Sequence, residues 1–418
     1  MADDVEDRTE QTLGELGEFR NGANFSQDDY GPGFPIVNVK QLYRGRYASM
    51  DDLNELSAEA VSKPETLFLR YGDILFARSS VKASGAGQVA MVGPCKRNAV
   101  FSGFIIRFRV NATDRVAPEY LNYLLRSPIY RELLTRIGCG TTITNLSQDT
   151  LAGLPIPLPP LAEQKAIAAV LGALDDKIEL NRRMNATLEA MARALFQSWF
   201  VDFDPVRAKL DGRPPAALDP TTAALFPDSF DETELGHVPH GWEVKTLGEV
   251  IELAYGKPLK AEDRKNGPVC VYGANGPVGW HDEKLVSGPG IVVGRKGNPG
   301  VVTWAHGDFH PIDTTFYVEP IGVCRSLYFF YYALSLHNLA NLSADSAVPG
   351  LNRNHAYMSK QVIPSQSVLA AFDSLIAPIF AAIHANQEQS RTLATLRDTL
   401  LPKLLSGELE VEPVNESE

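Results

Sequence analysis

The stretch that decides the fold begins at Leu154-Pro-Ile-Pro-Leu-Pro-Pro160 and runs directly into a long apolar repeat. Proline is tolerated up to the first turn of a helix, so this lead-in predicts that a helix begins at its end. From Ile167 to Trp199 the apolar positions then advance in alternating steps of four and three residues. Such a pattern, sustained over more than four heptads, is typical of a coiled-coil seam.

A second seam, from Phe372 to Leu404, repeats the first at a constant offset of 205 residues. A helix of about 38 residues spans roughly 55 Å, which exceeds what packing on one small domain requires. We therefore expect the two helices to pair rather than to lie each on its own domain, and Pro378 to kink the second or delay its start. The seam positions are Ile167, Leu171, Leu174, Ile178, Asn181, Asn185, Leu188 and Leu195, followed by Phe372, Ile376, Ile379, Ile383, Asn386, Leu393 and Leu400.

Polar residues interrupt both seams at matching places. With an antiparallel pairing and a symmetric stagger, Asn185 faces Asn386 and Asn181 faces Ser390. A buried asparagine lowers stability but fixes the register of a coiled coil. The alternative is that these positions are exposed and unpaired.

The segments before the helices repeat as well. Thr12-Leu-Gly-Glu-Leu16 recurs as Thr246-Leu-Gly-Glu-Val250, and the run that ends at Arg78 recurs as one that ends at Arg295. Asn145 and Asn352 each lie eleven residues before an Ile-Pro pair, which suggests that they correspond. A period above 200 residues indicates a duplicated domain rather than a solenoid. Short apolar runs bounded by Gly and Pro predict strands, so each half is mixed α/β.

The predicted fold is therefore α+β. Two tandem mixed α/β domains are separated by two long helices that form an antiparallel coiled coil, with a pseudo-twofold internal repeat. The expected segments are a first domain (1–158, with an acidic leader 1–11), a helix (159–201), a Pro-rich linker with little fold of its own (202–238), a second domain (239–366), a helix (367–406) and an acidic tail (407–418).

Composition limits the class of protein. The 418 residues are 44% apolar, enough for globular cores, and the longest apolar runs reach about ten residues, which predicts no membrane span. Four scattered cysteines and the absence of a secretory signal favour the cytoplasm. The net charge of −12 comes from the two termini, whereas residues 36–140 carry +6. That distribution is compatible with DNA binding, although ordinary solvated surface charge gives the same count.

No motif predicts catalysis. The sequence lacks a phosphate-binding loop and an amino-methyltransferase tetrapeptide, and no Ser/His/Asp set stands out. His306 and His310 have metal-like spacing, but no third ligand is near, so we interpret them as a loop pair. The chain is predicted to be a non-catalytic scaffold and reader, with no metal and no cofactor of its own.

Polar and basic loops at matching places in each half are the candidate DNA-binding surfaces, because Arg and Asn can bond guanine and adenine edges in bidentate fashion. Contacts to phosphates, or no contact, are the alternatives for each residue. The candidates are Lys40, Arg44, Arg46, Arg78, Ser79, Lys82, Thr142, Thr144 and Asn145 in the first half, and Lys257, Lys260, Tyr272, Asn275, Arg295, Lys296, Asn298, Asn352, Arg353 and Asn354 in the second.

The lead-in Leu154–Gln164 with its heptads resembles the conserved spacer of type I restriction-modification specificity subunits. Phe200-Val-Asp-Phe-Asp-Pro-Val-Arg207, Gly241-Trp-Glu-Val244 and Val271-Tyr-Gly-Ala-Asn-Gly276 resemble the same family's linker and second-domain entry. The first repeat lacks the Gly-Trp-Glu-Val entry, and the second helix lacks the Leu-Ala-Glu-Gln lead-in.

The resemblance implies two target recognition domains, each of which reads one half of a split site on double-stranded DNA, with the helices fixing the gap. It also implies two modification subunits that dock on the helices and methylate adenine with S-adenosylmethionine, and a restriction motor-nuclease subunit that joins for cleavage. A diverged DNA methyltransferase or nuclease, and a scaffold that does not bind DNA, are the alternatives.

Overall fold

The computed structural model describes residues 9–43, 45–80, 87–95, 97–138, 144–342 and 350–412. These residues cluster into two compact units. The first contains residues 1–179 and 390–418, and the second contains residues 180–389. The boundary passes through both long helices, so each helix contributes a portion to each unit. This differs from the predicted segmentation, in which the helices stand apart from the domains.

The first unit is built from short strands and four short helices. Their bounds are β1 Thr9–Thr12, α1 Leu13–Leu16, β2 Gly17–Asn21, β3 Gly33–Val37, β4 Glu55–Ser57, β5 Ile74–Ala77, β6 Ser79–Ser80, β7 Val89–Met91, β8 Val100–Phe101, β9 Ile105–Val110, α2 Pro118–Arg126, α3 Pro128–Gly138, β10 Thr144–Asn145, α4 Gln148–Ala152 and β11 Pro155–Leu158. The long helix α5, Leu161–Phe200, follows.

The second unit has the same kinds of element. Their bounds are α6 Asp204–Leu210, α7 Pro220–Ala224, β12 Phe230–Thr233, β13 Gly236–Pro239, β14 Glu243–Thr246, α8 Leu247–Val250, β15 Ile251–Tyr255, β16 Val269–Gly273, β17 Gly276–His281, β18 Gly290–Gly294, β19 Val302–Ala305, β20 Phe309–Pro311, β21 Thr315–Pro320, α9 Leu327–Leu336, α10 Arg353–Met358 and β22 Lys360–Ile363. The second long helix, α11, is Gln366–Ser406 and is continuous through Pro378.

The two units share one topology. The order β2-β9-β5-β7 in a four-stranded sheet of the first unit recurs as β15-β21-β18-β19 in the second. The three-stranded sheet β4-β3-β8 recurs as β17-β16-β20, with one parallel pair in each. The antiparallel pair β1-β11 recurs as β14-β22. The predicted duplication is thus a duplication of strand order. Residues 9–11 of the predicted acidic leader belong to the first unit as part of β1.

The repeated Thr-Leu-Gly-Glu motif has a physical explanation. The carboxylates of Glu15 and Glu249 accept the backbone N–H of Thr12 and Thr246 at 2.8 and 2.7 Å, which caps α1 and α8. Hydrogen bonds from Thr12, chiefly its backbone N–H, and from Thr246, chiefly its hydroxyl, hold the pKa of the Glu15 and Glu249 carboxyls below their ordinary value. The leucine that follows the threonine is fully buried in each unit.

The motif's glycine permits a close approach between short helices. A Cβ on Gly14 would lie 3.0 Å from the Cβ of Ala152 in α4, and a Cβ on Gly248 would lie 3.0 Å from the Cβ of Tyr357 in α10. A side chain at either position would push the two helices apart.

The correspondence between Asn145 and Asn352 is wrong by two residues. The backbone N–H of Leu13 donates to the carbonyl of Leu154, and the backbone N–H of Leu247 donates to the carbonyl of Ser359. Leu154 therefore corresponds to Ser359, at an offset of 205 residues. Asn145 therefore matches Gly350, and Ser147 matches Asn352. Both matched residues are helix N-caps, since Ser147 accepts from Thr150 and Asn352 accepts from Asn354. The Ile-Pro pairs are not a valid reference for the alignment, because Ile156 is the second residue of β11 whereas Ile363 is the last residue of β22.

The segment 202–238 is not a linker without fold. It contains α6, α7 and most of the β12–β13 hairpin, and it buries Phe203, Val206 and Phe226 in the core of the second unit. The ring of Phe226 lies 4.9 Å from that of Trp199, edge to face. Pro205 and Pro220 lie in the first turns of α6 and α7, where proline is tolerated, and the aromatic residues of the segment supply the packing.

In the second unit the portions of α5 and α11 run antiparallel, because Asn185 contacts Asn386 while Phe200 contacts Phe372. The side chain of Asn386 donates to Asn185 Oδ1 at 2.8 Å, and Asn185 donates to the carbonyl of Ile383 at 3.3 Å. The predicted pair of asparagines is therefore present.

Asn181 completes this polar layer. It is fully buried and donates to Gln389 Oε1 at 2.9 Å, one residue from the predicted Ser390. Among the described contacts, three asparagines and one glutamine thus lie together in this layer.

In the first unit the helices pack on the domain partly through ions. Arg397, a polar member of the second seam pattern, donates to Asp175 Oδ1 at 2.6 Å. Arg46 donates to Asp176 at 2.5 Å and to the Tyr123 hydroxyl at 3.2 Å. Beside this network an apolar cluster joins residues of both helices to the domain: Ile167, Leu171, Leu401 and Leu404 pack with Leu154 and Ile156.

The helix α11 is more apolar than counting consecutive residues suggested. It contains an 18-residue window with a mean hydropathy of 1.8, which by length and composition could cross a membrane. Alanine and isoleucine around a few polar residues produce this value without an unbroken apolar run. It is weak evidence for a span, since Phe372, Ile376 and Phe380 of this helix are buried in the second unit's core, and core helices pass the same test.

Two histidines meet where α11 packs on the second domain. His306 stacks on His384 with ring centroids 4.8 Å apart, beside Trp304 and Phe380. Burial, and secondarily the charge of His384, lower the pKa of His306 to about 4. A neutral imidazole is therefore part of this aromatic junction.

We expect Gly248→Val to destabilise the second unit by about 1–3 kcal/mol, because the branched side chain must displace Tyr357. Chemical denaturation measures the change. Gly307→Val is the control, since nothing lies within 4 Å of a Cβ there. Equal stability of the two variants would contradict a close approach of α8 and α10.

We expect Asn185→Leu alone to lower stability by about 1–3 kcal/mol, because it leaves the amide of Asn386 without its acceptor. Asn185→Leu combined with Asn386→Leu should instead raise the melting temperature above that of the single variant and of the wild type. Thermal unfolding of all three chains decides this, and additive losses in the double variant would argue against the pair.

Acid should destabilise the second unit through His306. In the unfolded chain this imidazole takes up its proton near the ordinary pKa of 6.5, and in the folded chain only near 4. Protonation therefore favours unfolding between these values, and the contribution to stability is complete above about pH 6.5. His306→Phe should flatten the dependence of stability on pH in this window. Denaturation curves from pH 4 to 7 that are parallel for both chains would exclude this histidine as the source.

Candidate nucleic-acid interface

Four segments of the second unit converge where the strands β15 and β18 of its four-stranded sheet end. They are the end of β15, the β16–β17 turn, the β18–β19 loop and the start of α10. The side chain of Asn298 donates to Asn275, which joins the loop to the turn. The backbone of Lys296 forms a bridge with Gly350 just before α10. Loops anchored in this way present polar side chains on a rigid base.

Arg295 begins the β18–β19 loop and is firmly placed by its backbone. Its N–H bonds the carbonyl of Thr314 and its carbonyl accepts from Leu351, both at 2.9 Å. Its guanidinium donates to the carbonyl of Asp313 at 3.0 Å and lies 4.9 Å from the ring centroid of Tyr255.

Arg353 approaches the same tyrosine from the start of α10. Its guanidinium lies 5.0 Å from the ring centroid of Tyr255 and 5.6 Å from that of Tyr357. It donates weakly to the carbonyl of Leu253, at 3.4 Å. Tyr255 is 49% exposed, so two cations and an aromatic ring share one surface.

Most of the other predicted DNA-binding residues of this half are exposed, but Asn352 has a structural role. Lys257, Lys260, Lys296 and Asn354 are exposed. Lys260 lies 3.8 Å from Glu262, a loose surface ion pair. Asn352 is the N-cap of α10, so its carboxamide oxygen already accepts two backbone N–H groups.

Tyr272 was predicted to lie on the DNA-binding surface, but its side chain is buried. Tyr272 lies one residue before the end of β16, is only 6% exposed and packs edge to face on Phe309. Burial raises the pKa of its hydroxyl. Alternation along the strand turns its ring inward, whereas Asn275 at the turn points outward.

The first unit places Arg78 as the second unit places Arg295. Its N–H bonds the carbonyl of Phe104 at 2.8 Å, and its carbonyl accepts from Leu146 at 2.9 Å. The backbone of Ser79 pairs with Asn145, and that of Ser80 pairs with Thr144. Lys40 is exposed, in a 3-10 turn spanning Val39–Tyr43. Arg44, Lys82 and Thr142 lie outside the described residues.

Arg46 has an internal role. Its side chain is 13% exposed and is held by Asp176, Tyr123 and a stacking contact of 4.6 Å with the ring of Tyr47. Its charge therefore serves the junction with α5. The sequence prediction treated it as a loop cation because its partner lies 130 residues away.

Two exposed aromatic residues at these edges were not predicted. Tyr255 ends β15, and Phe104, which is 61% exposed, precedes β9 beside Arg78. An available signal for Tyr255 was an aromatic residue followed at once by glycine and lysine, at the end of a strand.

The predicted seam positions are buried or half-buried, and none is exposed. Fully buried members include Ile167, Leu171 and Asn181 of α5 and Phe372 and Ile376 of α11.

The chain matches the family model described as the type I restriction modification DNA specificity domain over residues 6–190 and 239–364. It is 28% identical to the type I restriction enzyme MjaIX specificity subunit of Methanocaldococcus jannaschii, with 95% of this chain and 92% of that protein covered. It is likewise 28% identical to the HindI specificity subunit of Haemophilus influenzae, with 97% and 100% covered.

The type I restriction-modification S subunit from M. genitalium has the same fold. The TM-score is 0.60 at 19% identity, and 95% of each chain is covered. Because the family model covers both halves of the duplicated chain, this protein belongs to the type I restriction-modification DNA specificity family.

Proposed function

We propose that this chain reads a bipartite DNA site as the specificity subunit of a type I restriction-modification complex. Each target recognition domain reads one half of the site in double-stranded DNA. The loops at the sheet edge, with Arg78 and Ser79 in one domain and Arg295, Lys296 and Asn298 in the other, make the contacts.

One observation carries this proposal. Arg78 and Arg295 occupy the same position in two copies of one topology, and each is fixed by the same pair of backbone hydrogen bonds. These backbone bonds belong to the shared topology, so they place an arginine at the same point of both domains. Guanidinium groups bind phosphates and guanine edges, so two anchored copies suit two half-sites.

The two long helices are proposed to set the gap and to receive the partner subunits. The polar layer around Asn185 and Asn386 fixes their register, and a register shift would change the number of unread base pairs. Exposed apolar residues recur along the helices at the offset of 205: Val170 with Leu375, and Met191 with Leu396. Two equivalent apolar patches suit two copies of one modification subunit.

The chemistry belongs to those partners. The modification subunits would bind S-adenosylmethionine and methylate adenine, and a motor-nuclease subunit would join for cleavage. This chain would supply no catalytic residue, metal or cofactor, and the complex would act in the cytoplasm. The acidic termini make us expect that strong DNA binding requires the modification subunits.

Exchanging residues 10–155 for the first domain of another family member should change one half-site of the methylated sequence and leave the other intact. Each domain has its own sheets and its own anchored arginine, which is the physical reason. Sequencing of methylated genomic DNA from cells that express each chain with its modification subunits measures both half-sites.

The reciprocal exchange of residues 239–364 is the matched control, and it should alter the other half-site. A change in both half-sites on a single exchange would contradict independent readers. Methylation by the wild-type complex without sequence preference would refute the proposed function itself.

A further inference from the structure

We propose that Tyr255 is the positioning residue for guanine recognition by the second domain. Its ring holds the guanidinium groups of Arg295 and Arg353 so that both can bond the O6 and N7 edge of guanine in the major groove. This inference rests on the proposed function and deepens it, because it names the base that this domain selects.

The ring of Tyr255 is fixed on one side and open on the other. It lies 5.0 Å from the ring of Phe316, which is 1% exposed in the core, while 49% of the tyrosine remains exposed. Tyr255 also ends β15, whose register with β21 pairs it with Phe316. The ring is therefore a rigid surface at the edge of the sheet.

Both guanidinium groups lie over this ring, at 4.9 and 5.0 Å from its centroid. That of Arg295 also lies 5.8 Å from Phe316, and that of Arg353 lies 5.6 Å from Tyr357. Stacking on aromatic faces restricts the rotation of long, flexible side chains. Less conformational entropy is then lost when they bind DNA.

The two arginines keep donors available. Each guanidinium carries five N–H donors, and each uses one on a backbone carbonyl, that of Asp313 or that of Leu253. Among the described residues no carboxylate forms an ion pair with either of them. Two guanidinium groups that contact the same ring and have no carboxylate partner favour a ligand rich in hydrogen-bond acceptors.

Guanine is favoured over phosphate because the two forks are held in place by an aromatic ring and by backbone bonds. Bidentate hydrogen bonding to O6 and N7 requires a guanidinium group in a fixed orientation, whereas a phosphate accepts hydrogen bonds from many directions. The first domain has Asn21 where the second has Tyr255, at matched ends of β2 and β15. The first domain therefore has no aromatic ring at this position.

The test uses the full chain in complex with its modification subunits. A duplex library randomised in the second half-site is methylated by the wild type, Tyr255→Phe, Tyr255→Leu and Arg295→Lys. We expect Tyr255→Leu and Arg295→Lys to reduce discrimination for guanine by about tenfold or more. Tyr255→Phe keeps the aromatic face and should stay within about twofold of the wild type.

Tyr71→Leu is the matched control. This tyrosine is 56% exposed and lies in the first unit, so its replacement should leave guanine discrimination unchanged. A second arm replaces the guanine by 7-deazaguanine, which lacks the N7 acceptor. The wild type should bind this duplex about tenfold more weakly, whereas Tyr255→Leu should distinguish the two duplexes little.

The proposal is overturned if Tyr255→Leu weakens binding to all sequences equally, since that result identifies phosphate contacts. It is also overturned if Tyr255→Phe is as defective as Tyr255→Leu, or if 7-deazaguanine has no effect on the wild type. If Tyr255→Leu does not fold, Arg295→Lys decides. A wild-type complex without any sequence preference would instead refute the proposed function.

Discussion

The structure depends on two long helices that complete the cores of both domains. Leu401 and Leu404 of α11 pack with Leu171 of α5 in the first core, and Trp199 of α5 packs with Phe372 of α11 in the second. Neither domain covers its apolar face without residues from both helices. The seam pattern therefore reflects two requirements at once, since the same apolar positions pair the helices and close the domains.

Duplication preserved the strand order and the backbone bonds but not the side chains at the junctions. In the first unit ion pairs accompany the apolar packing of the helices, with Arg46 on Asp176 and Arg397 on Asp175. In the second unit the junction is aromatic, with Trp304 and its neighbours. Ion pairs weaken with salt, whereas aromatic packing does not. Equivalent architecture thus leaves the two units with different responses to solution conditions.

The sequence was sufficient for features that repeat or have a period. The duplication, the strand-rich halves, both helices and the pair of Asn185 and Asn386 follow from spacing alone. Features that depend on a partner far away in the sequence could not be predicted from the sequence. Arg46 is internal because of Asp176, and Tyr272 is buried because β16 lies in the middle of its sheet. The segment 202–238 was predicted to be a linker because of its many prolines, although Phe203 and Phe226 within it are buried in the second core.

The division of the chain has a consequence for biosynthesis. The second unit is one continuous stretch, 180–389, whereas the first unit needs residues 390–418 as well. During translation the first domain emerges early, but its apolar surface waits for Leu401 and Leu404, more than 200 residues later. The second domain can close as soon as its own stretch has left the ribosome. The first core is therefore completed only after the whole stretch of the second unit has been synthesised, which lengthens the time for which part of its apolar surface stays uncovered.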